Sequence, residues 1–249
     1  KLIALAIARI PELPSKRAQE FARCVLLNSG QLALNGRRRK TPLHEFRKHV
    51  QDTTHEMLAG LREFESRLPQ RKGTVPTLLN LNASLLSNHP LFRDGLRADL
   101  IVTSPPYPGI HVLYHRWQVD GRKETPAPYW ITECNDGMGA SYYNFADRRA
   151  SSASTYFEAA LKIFRALRKV IKDGGTLVQM VAFADPKTHL TSYLDTMELA
   201  GFSEVSLDCQ KVIQSSKRIW RTVPSRRWHA SHKGELCSSR EVVLVHTAV

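Results

Sequence analysis

Apolar residues recur at helical spacing through the first part of the chain. Leu2, Leu5 and Ala6 open a short amphipathic stretch with Arg9, and Pro11 and Pro14 stop it. A second predicted helix runs from Ser15 to Leu34 and ends at Asn35-Gly36. A third spans Pro42 to Leu68, with Phe46, Val50, Met57, Leu58, Leu61 and Phe64 in phase. The basic run Arg37-Arg38-Arg39-Lys40 connects these two. Residues 1–72 are therefore expected to form a helical region.

After Gly73 the pattern changes. Thr77 to Leu81 reads as a short buried strand, and Ala98 to Thr103 as another, ending in Ser104-Pro105-Pro106-Tyr107. Residues 108–150 have no clear period and are expected to form a long loop. Ser154 to Lys172 is predicted helical, with Phe157, Leu161, Phe164, Leu167, Val170 and Ile171 on one face and Asp173-Gly174-Gly175 as its stop. A strand over Thr176–Phe183, a helix over Thr188–Ala200 and strands over Phe202–Leu207 and Glu241–His246 follow. Alternating strands and helices predict an α/β fold with a parallel sheet and a variant end.

Composition adds a partner. The 249 residues are 42% hydrophobic and 24% charged, as in ordinary globular chains. The formal charge of +13 favours a polyanion, most simply nucleic acid. Cys24, Cys134, Cys209 and Cys237 lie far apart without metal or redox spacing, so free thiols in a reducing cytosol and no metal site are expected. The longest apolar run, Leu2 to Ile10, is too short to span a bilayer, and no signal peptide is seen.

The chemistry concentrates at Ser104-Pro105-Pro106-Tyr107. Open α/β sheets bind ligands at the carboxyl ends of their strands. Two prolines remove two backbone donors and stiffen the chain. The Pro105 carbonyl and the Ser104 hydroxyl become a pair of acceptors, and Tyr107 adds a flat face. Such a pocket suits an exocyclic amino group on a nucleobase. Its lone pair is delocalised into the ring, and gripping its N–H bonds turns that pair toward an electrophile. The ring can stack on Tyr107, and a base inside a duplex must be flipped out to reach it.

These residues resemble the catalytic motif of the amino-group DNA methyltransferases, in which Asp, Asn or Ser precedes Pro-Pro-Tyr or Pro-Pro-Phe after a strand like Ala98–Thr103. Leu161–Lys172 followed by Asp173-Gly174-Gly175-Thr176-Leu177-Val178 resembles the family's next helix and strand. Arg240–Val245 is similar to its final hairpin strand. The likeness covers residues 75–249 and implies a Rossmann-like class I methyltransferase sheet with a terminal antiparallel hairpin. It divides the chain into a 1–72 helical region, part of or inserted into the methyltransferase domain, and a 73–249 catalytic core.

The resemblance implies methyl transfer from S-adenosylmethionine to an amino group of a flipped base in double-stranded DNA. The Ser form points to N4 of cytosine ahead of N6 of adenine. Ser104, Pro105, Pro106 and Tyr107 are the implied catalytic residues, with Thr103 and Ser104 also at the cofactor. The implied setting is a prokaryotic cytoplasm, on the nucleoid, as in restriction-modification. His111 and His115 get no catalytic role, since the proton leaves only after the nitrogen is methylated. No Pro-Cys nucleophile favours a C5-cytosine enzyme. RNA or a protein glutamine are lesser substrate alternatives.

The family's Phe-x-Gly-x-Gly cofactor loop is missing. Gly137-Met138-Gly139 follows no apolar strand. Lys1–Arg9 resembles the helix after the second strand of related enzymes, so the cofactor-loop strands are expected on an upstream segment or a second polypeptide. A non-catalytic or partial DNA-binding subunit that needs such a partner is the alternative. Asn82 stands where relatives place an Asp near the cofactor's adenine, or simply caps a loop. The segment 208–235 carries Arg218, Arg221, Arg226, Arg227 and Lys233 with Trp220 and Trp228. It is a candidate DNA contact, the alternative being a solvated loop whose tryptophans pack on the body. The aromatics of 108–150, among them Trp117 and Trp130, either close over the base or join a core.

Overall fold

A computed structural model describes residues 2–36, 40–68, 76–108, 117–120, 125–133, 153–183, 185–206, 218–222 and 240–249. The chain divides into two units, Lys1–Thr77 with Val112–Gly137, and Leu78–His111 with Met138–Val249.

The first unit is helical: α1 (Leu2–Arg9), α2 (Lys16–Leu34) and α3 (Leu43–Arg67). Ser15 caps α2, its side chain accepting from the Ala18 amide. The segment predicted as loop supplies a bridge between Trp117 and Thr125 and a short helix, α5 (Ala127–Thr132). Six residues are too few to display a helical period, so pattern alone could not find it. Trp117 is buried with Ile10, Leu26, Ala33, Phe46 and Ile131, whereas Trp130 is exposed. Gly30 on α2 admits the indole: a Cβ there would stand 3.1 Å from two Trp117 ring carbons. Arg23 donates to the Ile131 carbonyl at 2.9 Å. Cys24 is a free, exposed thiol.

The second unit is a mixed sheet with helices. A 3₁₀ turn at Ala83–Asn88 and α4 (Pro90–Arg93) precede β1 (Ala98–Thr103). Then come α6 (Ala153–Arg168), β2 (Ile171–Val181), α7 (Pro186–Leu199), β3 (Phe202–Glu204), β4 (Ile219–Thr222) and β5 (Arg240–Ala248). Strand order is β1-β2-β5-β3, with β4 also on β5. β1 and β2 are parallel, while β5 runs antiparallel to β2, β3 and β4. The fold is α/β, with a mixed rather than all-parallel sheet.

Alternation sets the layers. Leu177, Gln179 and Val181 of β2 are buried, as are Val242, Leu244 and His246 of β5. They meet Tyr156, Ala160 and Phe164 of α6 and Tyr193 and Met197 of α7. On β1, Leu100 and Val102 point to the opposite side and are 56% and 71% exposed.

Two expectations are corrected. Thr77–Leu81 forms no strand; Leu78 is 91% exposed and the chain enters the 3₁₀ turn. An apolar run becomes a strand only where a neighbour takes its backbone bonds, and among the described residues none does. The second concerns the end of α6, which stops at Arg168, so that Val170 and Ile171 leave the helix and Ile171 starts β2. Asp173-Gly174-Gly175 is a bulge inside β2 rather than a helix stop. Register jumps there, Ala98 pairing Ile171 and Leu100 pairing Thr176. Gly174 has φ +72°, and a Cβ on Gly175 would stand 2.6 Å from the Ile171 side chain and 2.8 Å from the Lys172 carbonyl oxygen.

Gly175→Ala is expected to lower stability by about 1–3 kcal/mol, read from urea unfolding. An unchanged midpoint would mean that the bulge relaxes freely.

A buried polar chain crosses the core. Tyr193 donates to Gln179 Oε1, and Gln179 Nε2 lies 3.4 Å from His246 Nδ1. With Nδ1 accepting, the imidazole proton sits on Nε2, which is buried without a partner among the described residues. Burial holds the His246 pKa down at about 4, outweighing the opposite pull of Glu204. The unfolded chain therefore takes up this proton first. Stability is full above about pH 6.5 and falls toward pH 4, by on the order of 3 kcal/mol. His246→Leu should flatten that part of a urea-midpoint profile against pH.

Candidate active site

The carboxyl ends of β1 and β2 lie at one edge of the sheet. Because β5 is antiparallel, its amino end arrives there too, with Val242 opposite Val181. β4 brings Arg221 opposite Glu241. Strand directions thus gather Ser104, Tyr107, Met180, Arg221 and Glu241 from four strand ends.

Ser104 is exposed just after β1, Pro105 is buried and Tyr107 is half-buried. Ser104 Oγ lies 3.0 Å from the Tyr107 hydroxyl and 3.2 Å from the Met180 carbonyl oxygen. The Tyr107 hydroxyl donates to Glu241 Oε1 at 3.1 Å. Arg221 Nε donates to Glu241 Oε2 at 2.8 Å. Tyr156, near the start of α6, donates to the Pro106 carbonyl at 2.6 Å. Burial raises the Tyr156 phenol far above its usual pKa, so it remains a donor.

These bonds fix proton directions. The Tyr107 hydrogen points at Glu241 Oε1, which accepts it while the proton stays on the phenol. Tyr107 then offers lone pairs, and the single Ser104 hydrogen turns inward, to Tyr107 or to the Met180 carbonyl. The outward side of Ser104 Oγ is left as an acceptor. That is the property an incoming N–H bond requires. The rigid turn is braced on both sides, by Tyr156 under Pro106 and Glu241 under Tyr107.

Sequence reasoning missed Glu241 and Tyr156. Glu241 is only 3% exposed, directly before the apolar run Val242–Val245. A carboxylate in a valine-rich stretch was the available signal, since buried acids need partners.

The other predicted residues fall as follows. Thr103 ends β1 and is half-buried. Asn82 is exposed, and its side chain accepts from the Ser84 amide, capping the 3₁₀ turn; no strand ends at it. Arg218 makes a two-pronged pair with Glu204, at 2.6 and 2.7 Å. That contact holds the Glu204 carboxyl below its usual range. Trp220 is half-buried under the Arg240 guanidinium, 5.3 Å from the ring centroid. The described cations of the basic segment are thus spent on carboxylates of the sheet. Arg226, Arg227, Trp228 and Lys233 lie outside the described residues, as do Arg37–Arg39, His111, His115 and Gly137–Gly139. Among the described residues no cluster could hold a metal, and no helix is long and apolar enough to cross a membrane.

No family model matches the chain, and no curated protein matches it either.

Tyr107→Phe removes the hydroxyl between Ser104 and the buried Glu241 carboxylate. It is expected to cost about 1–3 kcal/mol in urea unfolding. Loss of no stability would show that Glu241 is satisfied without Tyr107.

Proposed function

We propose that this chain is the catalytic part of an amino-group DNA methyltransferase, acting on N4 of cytosine ahead of N6 of adenine. The observation that carries this reading is the Ser104–Tyr107–Glu241 hydrogen-bond chain at the carboxyl edge of β1 and β2. It leaves Ser104 Oγ as an outward acceptor beside an aromatic ring. In this reading Ser104 takes one N–H of the target amino group, and the Tyr107 ring orients the base. Tyr156 and Glu241 hold the turn. Placement of β5 antiparallel between β2 and β3 supports the Rossmann-like methyltransferase sheet, because it is the terminal hairpin that the motif's resemblance implies.

The methyl donor is S-adenosylmethionine. The described residues do not by themselves fit it. Asn82 is engaged as a cap, and no glycine loop closing a strand occurs among them. Thr103 and Ser104 would lie beside the donor, and the rest of its cradle belongs to an upstream segment or a second polypeptide.

The second reading, a partial or non-catalytic subunit, is favoured by β1. It is an edge strand of the described sheet, yet it exposes Leu100 and Val102. Edge strands are ordinarily short, charged or covered.

Labelled methyl transfer to duplex DNA, by this chain alone and with its upstream segment, separates the two. Ser104→Ala is expected to reduce transfer by at least about a hundredfold, the loss of one directed polar contact at a reacting group, with an unchanged melting point. Mass spectrometry of digested product DNA identifies the base. Transfer at the wild-type rate by Ser104→Ala would refute the site.

A further inference from the structure

A second site lies at the other end of β1 and β2. A cleft of about 780 Å³ opens there, lined by Arg93, Arg97, Arg168, Lys169 and Lys172 against Asp173 alone. Arg97 immediately precedes β1 and Ser104 immediately follows it. Six residues of strand therefore separate the two sites by roughly 20 Å.

The cations are not equivalent. Arg168 is held by Asp173 and, at 2.9 and 2.8 Å, by the Val249 main-chain oxygen. Lys172 pairs with Asp99. Arg97 has no carboxylate partner among the described residues; its Nη1 donates to the Phe92 and Leu96 carbonyls at 2.8 Å each, which fixes the guanidinium in place. The side chains of Arg93 and Lys169 are exposed and have no hydrogen bond or ion pair among the described residues. A pre-set arginine and two uncommitted cations lining the same cleft suit phosphate oxygens.

We propose that this cleft binds the phosphodiester backbone of a nucleic acid, independently of base identity. Cations come from α4, the turn before β1, the end of α6 and the start of β2, so the positive lining is drawn from four segments around one cleft. It suits repeated phosphates better than a single anion. The chain's charge of +13 favours the same partner. The inference does not rest on the methyltransferase reading. Nucleic acid held here would be anchored away from Ser104, leaving the strand ends to engage a base.

The test is equilibrium binding of a labelled mixed-sequence duplex across a salt series. Losing two phosphate contacts in Arg93→Ala/Lys169→Ala should lower the slope of log affinity against log salt by about 2, and affinity by roughly tenfold at moderate salt. Lys16→Ala/Lys48→Ala, two exposed cations of the first unit, should leave both unchanged. Equal losses in the two variants would mean general charge and overturn the cleft, as would no loss in the first. Poly-glutamate bound as tightly as duplex, and weakened by the same variant, would make this an acidic-polypeptide site and overturn the proposal. Methyl transfer is not read, so failure here leaves the Ser104 assignment untouched.

Discussion

The insertion of β5 between β2 and β3 is the constraint on which the second unit depends. Its ladder to β2 pairs Thr176 with Thr247 through Val181 with Val242, and its other side carries both β3 and β4. Its direction has a chemical consequence. Run parallel, β5 would bring its carboxyl end to Ser104. Run antiparallel, it brings Glu241. The one acid of β5 thereby becomes the terminus of a hydrogen-bond chain under the turn.

That chain works because its members differ in what they can do. Glu241 can only accept, Tyr107 can do both, and Ser104 has one hydrogen to place. Order therefore propagates from the buried end to the surface. Arg221 balances the carboxylate from β4, so the buried charge is paired rather than orphaned. The same logic accounts for the spent cations of the basic segment. Arg218 and Arg221 read along the chain as a contact surface for phosphate, but the sheet carries a glutamate for each.

Charge on this protein is thus not interchangeable. Among the described residues, Arg218 and Arg221 of the basic segment are bound to acids, whereas at the opposite strand ends Arg93 and Lys169 are not. Net charge says that a polyanion is favoured, and only the pairing pattern says which side chains are available to meet it.

Much of the fold was legible in the sequence. The three long helices, β1 and the Ser104–Tyr107 turn follow from period, caps and prolines, which act within a few residues. Thr77–Leu81 and the Gly174-Gly175 bulge were misread because an apolar run and a glycine pair each suit several local structures. Non-local partners chose among them: no described strand paired with the first, and β1 paired across the second. The site divides the same way. Its acceptor turn is written into four consecutive residues. Glu241 and Tyr156, some 134 and 50 positions from their partners, were brought there by the tertiary structure. Local sequence sets torsion angles, but only strand order and direction set which distant side chains share a proton.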